Sequence, residues 1–429
     1  MSIKKDFIDQ LVAFFCMMLL TTYCYTSGGV KRYIMPSFVS VIIVLLLCLF
    51  GMVYLNRGKI IIKKTFLLLV FLAILVIIFN RNANFEHLIF ENDISIIAAL
   101  IFLLIGMKNN VWHKYFVGFT FFWAIVHSVF TILEFAIPGF YSSTILPLFQ
   151  KTTYYDDLVW VFSQGKIPGI AGHFSTNGMY LSVGLLVITV CFMLRSSKRK
   201  ILLFLLILFT ASSLLFTGKR GVLIAAATGV ALAYYLYNSN KPTTRFFKII
   251  IIVLIIVLGF TLASQYIPQL NNIFERFNET MARGDVTTGR SKLYSIAWDL
   301  FGKNTFFGIG WDEYKYYYMF SNNQFLNVHN VYLQLLTENG IIGCIPFFAL
   351  FGYMYYRVIR FFVSYVKNSQ IRDPQCESAL VLSVGMQTFF LIYCITGNPL
   401  YDPQVFYPYI FCCTMGEYYI TKTNSRGKI

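Results

Sequence analysis

Apolar residues run along this chain in long blocks joined by polar connections, and most blocks approach the roughly 20 residues that a helix needs to cross a bilayer. Twelve such stretches lie at about 8–25, 33–55, 65–80, 93–107, 115–136, 169–194, 200–217, 220–237, 246–265, 338–358, 377–396 and 403–420. The pattern predicts an all-α polytopic membrane protein with about twelve transmembrane helices, built as one membrane domain over 1–429. Two polar excursions interrupt it, at 138–168 and, much longer, at 265–339 between spans nine and ten. The second predicts two short helices. One, at 271–281, carries Ile273, Phe274 and Phe277 on an apolar edge; the other, at 288–301, spaces Leu293, Ile296, Ala297, Leu300 and Phe301 as an amphipathic face.

Composition identifies the solvent. Hydrophobic residues make up 57% of the chain against 13% charged, with a mean hydropathy of +0.65, which excludes an ordinary soluble domain. The net charge of +16 then reads as topology. With the N-terminus inside, 22 of the 35 Lys and Arg residues fall in cytoplasmic segments, as the retention of basic residues on that side requires. Both termini are therefore expected in the cytoplasm and both excursions outside it, in a multi-pass protein of the cytoplasmic membrane in contact with its lipids. The stretch 1–10 leads into an ordinary first span without the features of a cleavable signal. No basic stripe with interleaved aromatics marks a nucleic-acid surface.

Nine cysteines lack C-x-x-C spacing and lie mostly in or beside apolar spans, where they read as packing. His87, His113, His127, His173 and His329 form no pair at ligand spacing, so neither a metal nor another cofactor is implied.

Chemistry is expected where polar residues meet the spans. His329 stands where the long loop runs into span ten, and its imidazole suits proton transfer near neutral pH. Lys219 and Arg220 occupy a very short outside turn, Phe216-Thr-Gly-Lys-Arg-Gly-Val222, against the positive-inside bias. Charges so near hydrocarbon need partners, and a phosphate or an anionic headgroup would serve. Arg290 opens a predicted helix whose N-terminal amides also favour an anion. Gly and Pro break the entry to span six around Lys166, His173 and Asn177, as a cavity wall or a kinked entry would. Glu134 and Glu417 are expected as intramembrane carboxylates. Tyr314, Tyr316, Tyr317 and Tyr318 read as an interfacial aromatic belt or a sugar-stacking run.

Taken in order, Gly172-His-Phe-Ser-Thr-Asn-Gly, Thr217-Gly-Lys-Arg-Gly, Gly308-x-Gly and His329-Asn-x-Tyr-Leu-x-x-Leu-x-Glu-x-Gly-x-x-Gly343 resemble the O-antigen ligase and polymerase superfamily. The similarity covers roughly 165–345, and its first two elements look most like capsular or exopolysaccharide repeat-unit polymerases. It implies a glycosyltransferase working outside the cytoplasmic membrane without a metal, moving an undecaprenyl-diphosphate-linked glycan onto a sugar hydroxyl of another lipid-linked repeat. A ligase delivering the polymer to another acceptor is the alternative; a lipid-linked oligosaccharide flippase or transporter is a third reading. The resemblance implies catalytic roles for His329, Arg220 and Arg290, with Lys219, Lys166, His173, Asn177, Asn330, Tyr332 and Glu338 binding substrate. His329 would serve as base or tight hydrogen-bond partner to the acceptor hydroxyl. Relatives often carry Arg near Lys166, so bidentate phosphate binding is lost there. A flippase and a chain-length regulator are the implied protein partners.

Overall fold

The computed structural model describes residues 2–26, 28–35, 37–58, 63–80, 91–150, 152, 155–194, 199–237, 290–368 and 373–424. The apolar block at 246–265 and the helix expected at 271–281 lie outside the described residues. The other eleven blocks are helical. They correspond to α1 (Ser2–Tyr25), α3 (Phe38–Leu55), α4 (Lys64–Phe79), α5 (Glu91–Gly106), α6 (His113–Ala136), α9 (Phe174–Leu194), α10 (Lys200–Phe216), α11 (Arg220–Tyr237), α14 (Val331–Asn368), α15 (Pro374–Tyr393) and α16 (Pro403–Asn424). Shorter helices are α2 (Gly28–Ile34), α7 (Pro138–Phe140), α8 (Tyr155–Ser163), α12 (Arg290–Lys303) and α13 (Tyr314–Asn322). Among the described residues seven helices are long and apolar enough to cross a membrane, and α4, α5 and α10 are shorter apolar helices. The protein is an all-α polytopic membrane protein.

Local chemistry sets the helix ends. Ser37 and Ser40 exchange side-chain and backbone hydrogen bonds in a capping box ahead of α3. Asp373 accepts from the Gln375 N–H, with Pro374 opening α15. Span six begins later than the sequence pattern suggests, at Phe174, because Gly165, Gly169 and Gly172 adopt left-handed backbone that a helix cannot continue.

The bundle centre is α15, packed against α11, α16 and α9. Gly229 of α11 lies on the Gly385 carbonyl of α15, so these two helices approach backbone to backbone, as small residues permit where a bilayer supplies no hydrophobic drive. That approach brings the turn before α11 against the loop after α15, where Gly221 faces Thr396. Leu46, Leu47 and Phe50 on the outer face of α3 are exposed, which suits lipid contact.

The two ends of the bundle differ. At one, Glu417 of α16 is held between Lys63 Nζ (2.9 Å) and Arg357 (Nε 2.7 Å, Nη2 2.9 Å), tying α16 to the start of α4 and to α14. This buried carboxylate is neutralised inside the protein. The other end gathers the irregular segments and the expected site residues.

Candidate functional site

The core of the long loop is fastened to the bundle by backbone. Ile309 N–H donates to Thr337 O (3.0 Å) and Gly310 N–H to Glu338 O (2.8 Å), while Ile341 N–H and Ile342 N–H donate to Thr305 O (2.9 Å) and Phe306 O (3.1 Å). These crossed bonds need two side-chain-free positions, Gly308 and Gly340, both with positive φ. Helix α14 breaks at Gly340 (φ 61°, ψ −171°), so span ten is a short helix from Val331 followed by a long one. Asn80 secures the break from the end of α4: its Nδ2 donates to Glu338 O (3.1 Å) and Asn339 Oδ1 (2.9 Å), and its carbonyl accepts from Trp311 N–H (2.6 Å).

Above this seam α12 lays Leu293 and Ala297 inward, as the amphipathic spacing predicts. Tyr314 and Tyr318 are buried with them, ring planes 23° apart, and Tyr314 donates to Leu293 O (2.8 Å). Half of the tyrosine run is thus interior packing, neither interfacial belt nor sugar platform.

His329 sits immediately before α14 with φ +59°, a sparsely populated conformation for a residue with a Cβ. Two hydrogen bonds reach it and a third pins the chain two residues on. Tyr294 of α12 donates to its carbonyl (3.4 Å), Val331 N–H donates to Cys394 O (2.8 Å), and Asn398 Nδ2 lies 3.3 Å from its Nδ1. Asn330 caps the helix through Oδ1, which accepts from Leu333 N–H (3.1 Å).

Cations surround the imidazole. Burial and the charges of Arg290 and Lys219 depress the His329 pKa to about 4, so the ring is neutral at pH 7. Lys219 is itself depressed to about 8, mainly by burial and then by Arg290 and Lys166, with Asp402 opposing. Burial pushes Asp402 up to about 7 against the pull of Lys219. His173 is lowered to about 4 by burial, Lys219, Lys166 and His329. Phe174 is the hub of this group: Lys166 Nζ and Lys219 Nζ lie 4.7 and 4.5 Å from its ring centroid. Beside it opens a cavity of 610 Å³, within the range of small-molecule sites, lined in part by Lys31, Asp157, Trp160, Lys166, His173 and Gln404.

The structure therefore brings together His329, Arg290, Lys219, Lys166 and His173 from separate segments. Arg220 opens α11 next to Lys219, half-buried. Other expected site residues do structural work. Asn177 is fully buried and donates to Thr131 Oγ1 (2.8 Å) and Ile167 O (3.4 Å), while Glu134 accepts from Gly169 N–H (2.6 Å); both hold the loop that carries Lys166. Tyr332 donates to Leu391 O (2.8 Å). Glu338 is enclosed by Tyr401 (2.8 Å), Gln334 (3.0 Å) and Tyr314 N–H (3.4 Å), clear of the His329 ring bond. Sequence reasoning missed Asn398 and Asp402. Their signal was the stretch Gly397-Asn-Pro-Leu-Tyr-Asp-Pro403, a polar Gly- and Pro-rich turn between two spans. Lys31, Asp157 and Trp160 were also unmarked, and only the fold places them on one cavity.

Residues 202–348 match the family model described as O-Antigen ligase, roughly a third of the chain. No curated protein matches the chain. The match covers Lys219, Arg220, Arg290 and His329, and it supports the resemblance to the O-antigen ligase and polymerase superfamily that the motifs carry. The chain is an integral membrane protein whose residues 202–348 resemble an O-antigen ligase domain.

Proposed function

From that match and the motifs we propose that the protein is a polysaccharide polymerase, transferring a glycan from an undecaprenyl-diphosphate donor to a sugar hydroxyl of a second lipid-linked repeat. The observation that carries this reading is the convergence of Arg290, Lys219 and His329 at one end of the bundle, near a cavity that Lys166 and His173 line. The positive-inside bias supports an extracytoplasmic location for this end of the bundle.

The reaction needs charge stabilisation more than anything else. The acceptor oxygen bonds to the anomeric carbon as the bond from that carbon to the diphosphate breaks. The electron pair leaves on the phosphate oxygen, and the hydroxyl proton balances the charge of the departing diphosphate. Fixed cations aimed at that oxygen, in a site partly screened from water, stabilise the transition state more than the ground state. Lys219 and Arg290 supply them, with Arg220 adjoining. Burial first, then the charges of Arg290 and Lys166, disfavour the charged form of Lys219, and an anionic diphosphate would offset this.

Polymerase is preferred to ligase on the Gly172-His-Phe-Ser-Thr-Asn-Gly and Thr217-Gly-Lys-Arg-Gly elements. The deciding experiment is to delete the gene and identify what accumulates on the lipid. A single repeat unit supports the polymerase; full-length chains on the lipid would establish the ligase instead.

A further inference from the structure

The loop between α15 and α16 reaches the reacting histidine with one side chain. Asn398 Nδ2 lies 3.3 Å from His329 Nδ1, and Asn398 is buried, at 8% exposure. Its amide oxygen has no hydrogen-bond partner among the described residues, so the amide is directed at the ring rather than spent on its own loop. The loop is stiff: Tyr401 N–H donates to Asn398 O (2.9 Å), and Cys394 O accepts from Val331 N–H, two residues past the histidine. With Tyr294 on the His329 carbonyl, the residue is held by its backbone from α12 and by its ring from the α15–α16 loop.

A neutral imidazole has one N–H and one lone pair, and the hydrogen bond made by one nitrogen decides what the other presents. An amide N–H donated to Nδ1 occupies the lone pair there. We propose that Asn398 is a positioning residue that holds His329 in the tautomer protonated on Nε2, so that the ring meets the departing diphosphate as a hydrogen-bond donor. Burial and the neighbouring Arg290 and Lys219 keep the ring neutral, so that the Asn398 bond is left to select the tautomer. A general base would need a bare Nε2, which this tautomer lacks. His329 then adds a neutral N–H donor to the two cations, and the hydroxyl proton passes to the diphosphate without residing on the ring. The role in transfer rests on the proposed reaction, whereas the tautomer does not.

The test is nitrogen NMR of the full-length protein in lipid nanodiscs, labelled with ¹⁵N-histidine, with the His329 signals identified by their loss in His329→Gln. At pH 7 the wild type should show Nε2 protonated and Nδ1 bare. Asn398→Ala should give a mixture of tautomers, and Asn398→Asp, whose carboxylate only accepts, should move the proton to Nδ1. A wild-type ring protonated on Nδ1, or a ring pattern unchanged in Asn398→Ala, overturns the proposal without reference to any substrate. In transfer assays with lipid-diphosphate-linked repeats, Asn398→Asp should lose about 10² in kcat with little change in KM. Wild-type turnover by a folded Asn398→Asp protein would make the ring a base and sink the donor role. Absence of any transfer by the wild type would count against the proposed reaction and leave the NMR result to decide the tautomer.

Discussion

Gly308 and Gly340 lock two distant segments together through the side chains they lack: a Cβ on Gly308 would strike the Glu338 carbonyl, and one on Gly340 would strike that of Phe306. The loop backbone and the broken start of α14 thus hydrogen-bond directly, and the seam fixes the platform from which His329 and α12 project. The glycines of the His329-to-Gly343 motif are part of the architecture of the site rather than of its chemistry.

Gly308→Ala and Gly340→Ala should each be strongly destabilising. The positive φ alone costs about 1–3 kcal/mol for a residue with a Cβ, before any collision is relieved. Gly352, in the same helix as Gly340 but with open space where its Cβ would stand, is the control, and Gly352→Ala should be neutral or gain up to about 1 kcal/mol. Thermal unfolding in detergent measures all three; equal midpoints would mean that the seam contributes nothing.

Anion affinity should fall as pH rises through about 8. Lys219 is charged below its depressed pKa and neutral above it, and Asp402 gains negative charge from about 7 upward, so both changes oppose an anion over the same range. Lys219→Arg, whose guanidinium stays charged, should flatten the upper part of the decline, and Asp402→Asn the lower part. Calorimetric titration with inorganic diphosphate reads this directly. Affinity independent of pH between 6 and 9 would remove Lys219 from the anion site.

His329→Ala should lower turnover by about 10² to 10³ while the lipid-linked donor still binds, because a donor aimed at developing phosphate charge acts mainly in the transition state. In the unliganded protein the ring should titrate near pH 4 and shift upward when inorganic diphosphate offsets Arg290 and Lys219. A midpoint near the free value of 6.5 would show that the cations do not surround it.

Orientation is checked by labelling. Gln324, exposed after α13, and Lys367, exposed at the far end of α14, lie at opposite ends of the bundle. In intact cells Gln324→Cys should react with an impermeant thiol reagent and Lys367→Cys should not. The reverse pattern would place the site in the cytoplasm.

The sequence by itself determined the solvent and the element list. Runs of apolar residues can be stable as spanning helices only in a bilayer, so eleven of the twelve expected blocks correspond to described helices, and the spacing of Leu293 and Ala297 was enough to face α12 inward. It also marked His329, Lys219 and Arg290, because an imidazole at a loop–span boundary and basic residues in the outside segments have no place in hydrocarbon. Tertiary structure alone decided what those residues meet. Asn398 is 69 positions from His329 and joins it because the start of α14 is tied to the end of α15, where Val331 N–H donates to Cys394 O. Asn177 and Glu338 carry the same polar groups as a binding residue, yet burial commits both to internal hydrogen bonds. A side chain's type states which bonds it can make, and only the packing of helices distant in sequence states which of those bonds are already taken.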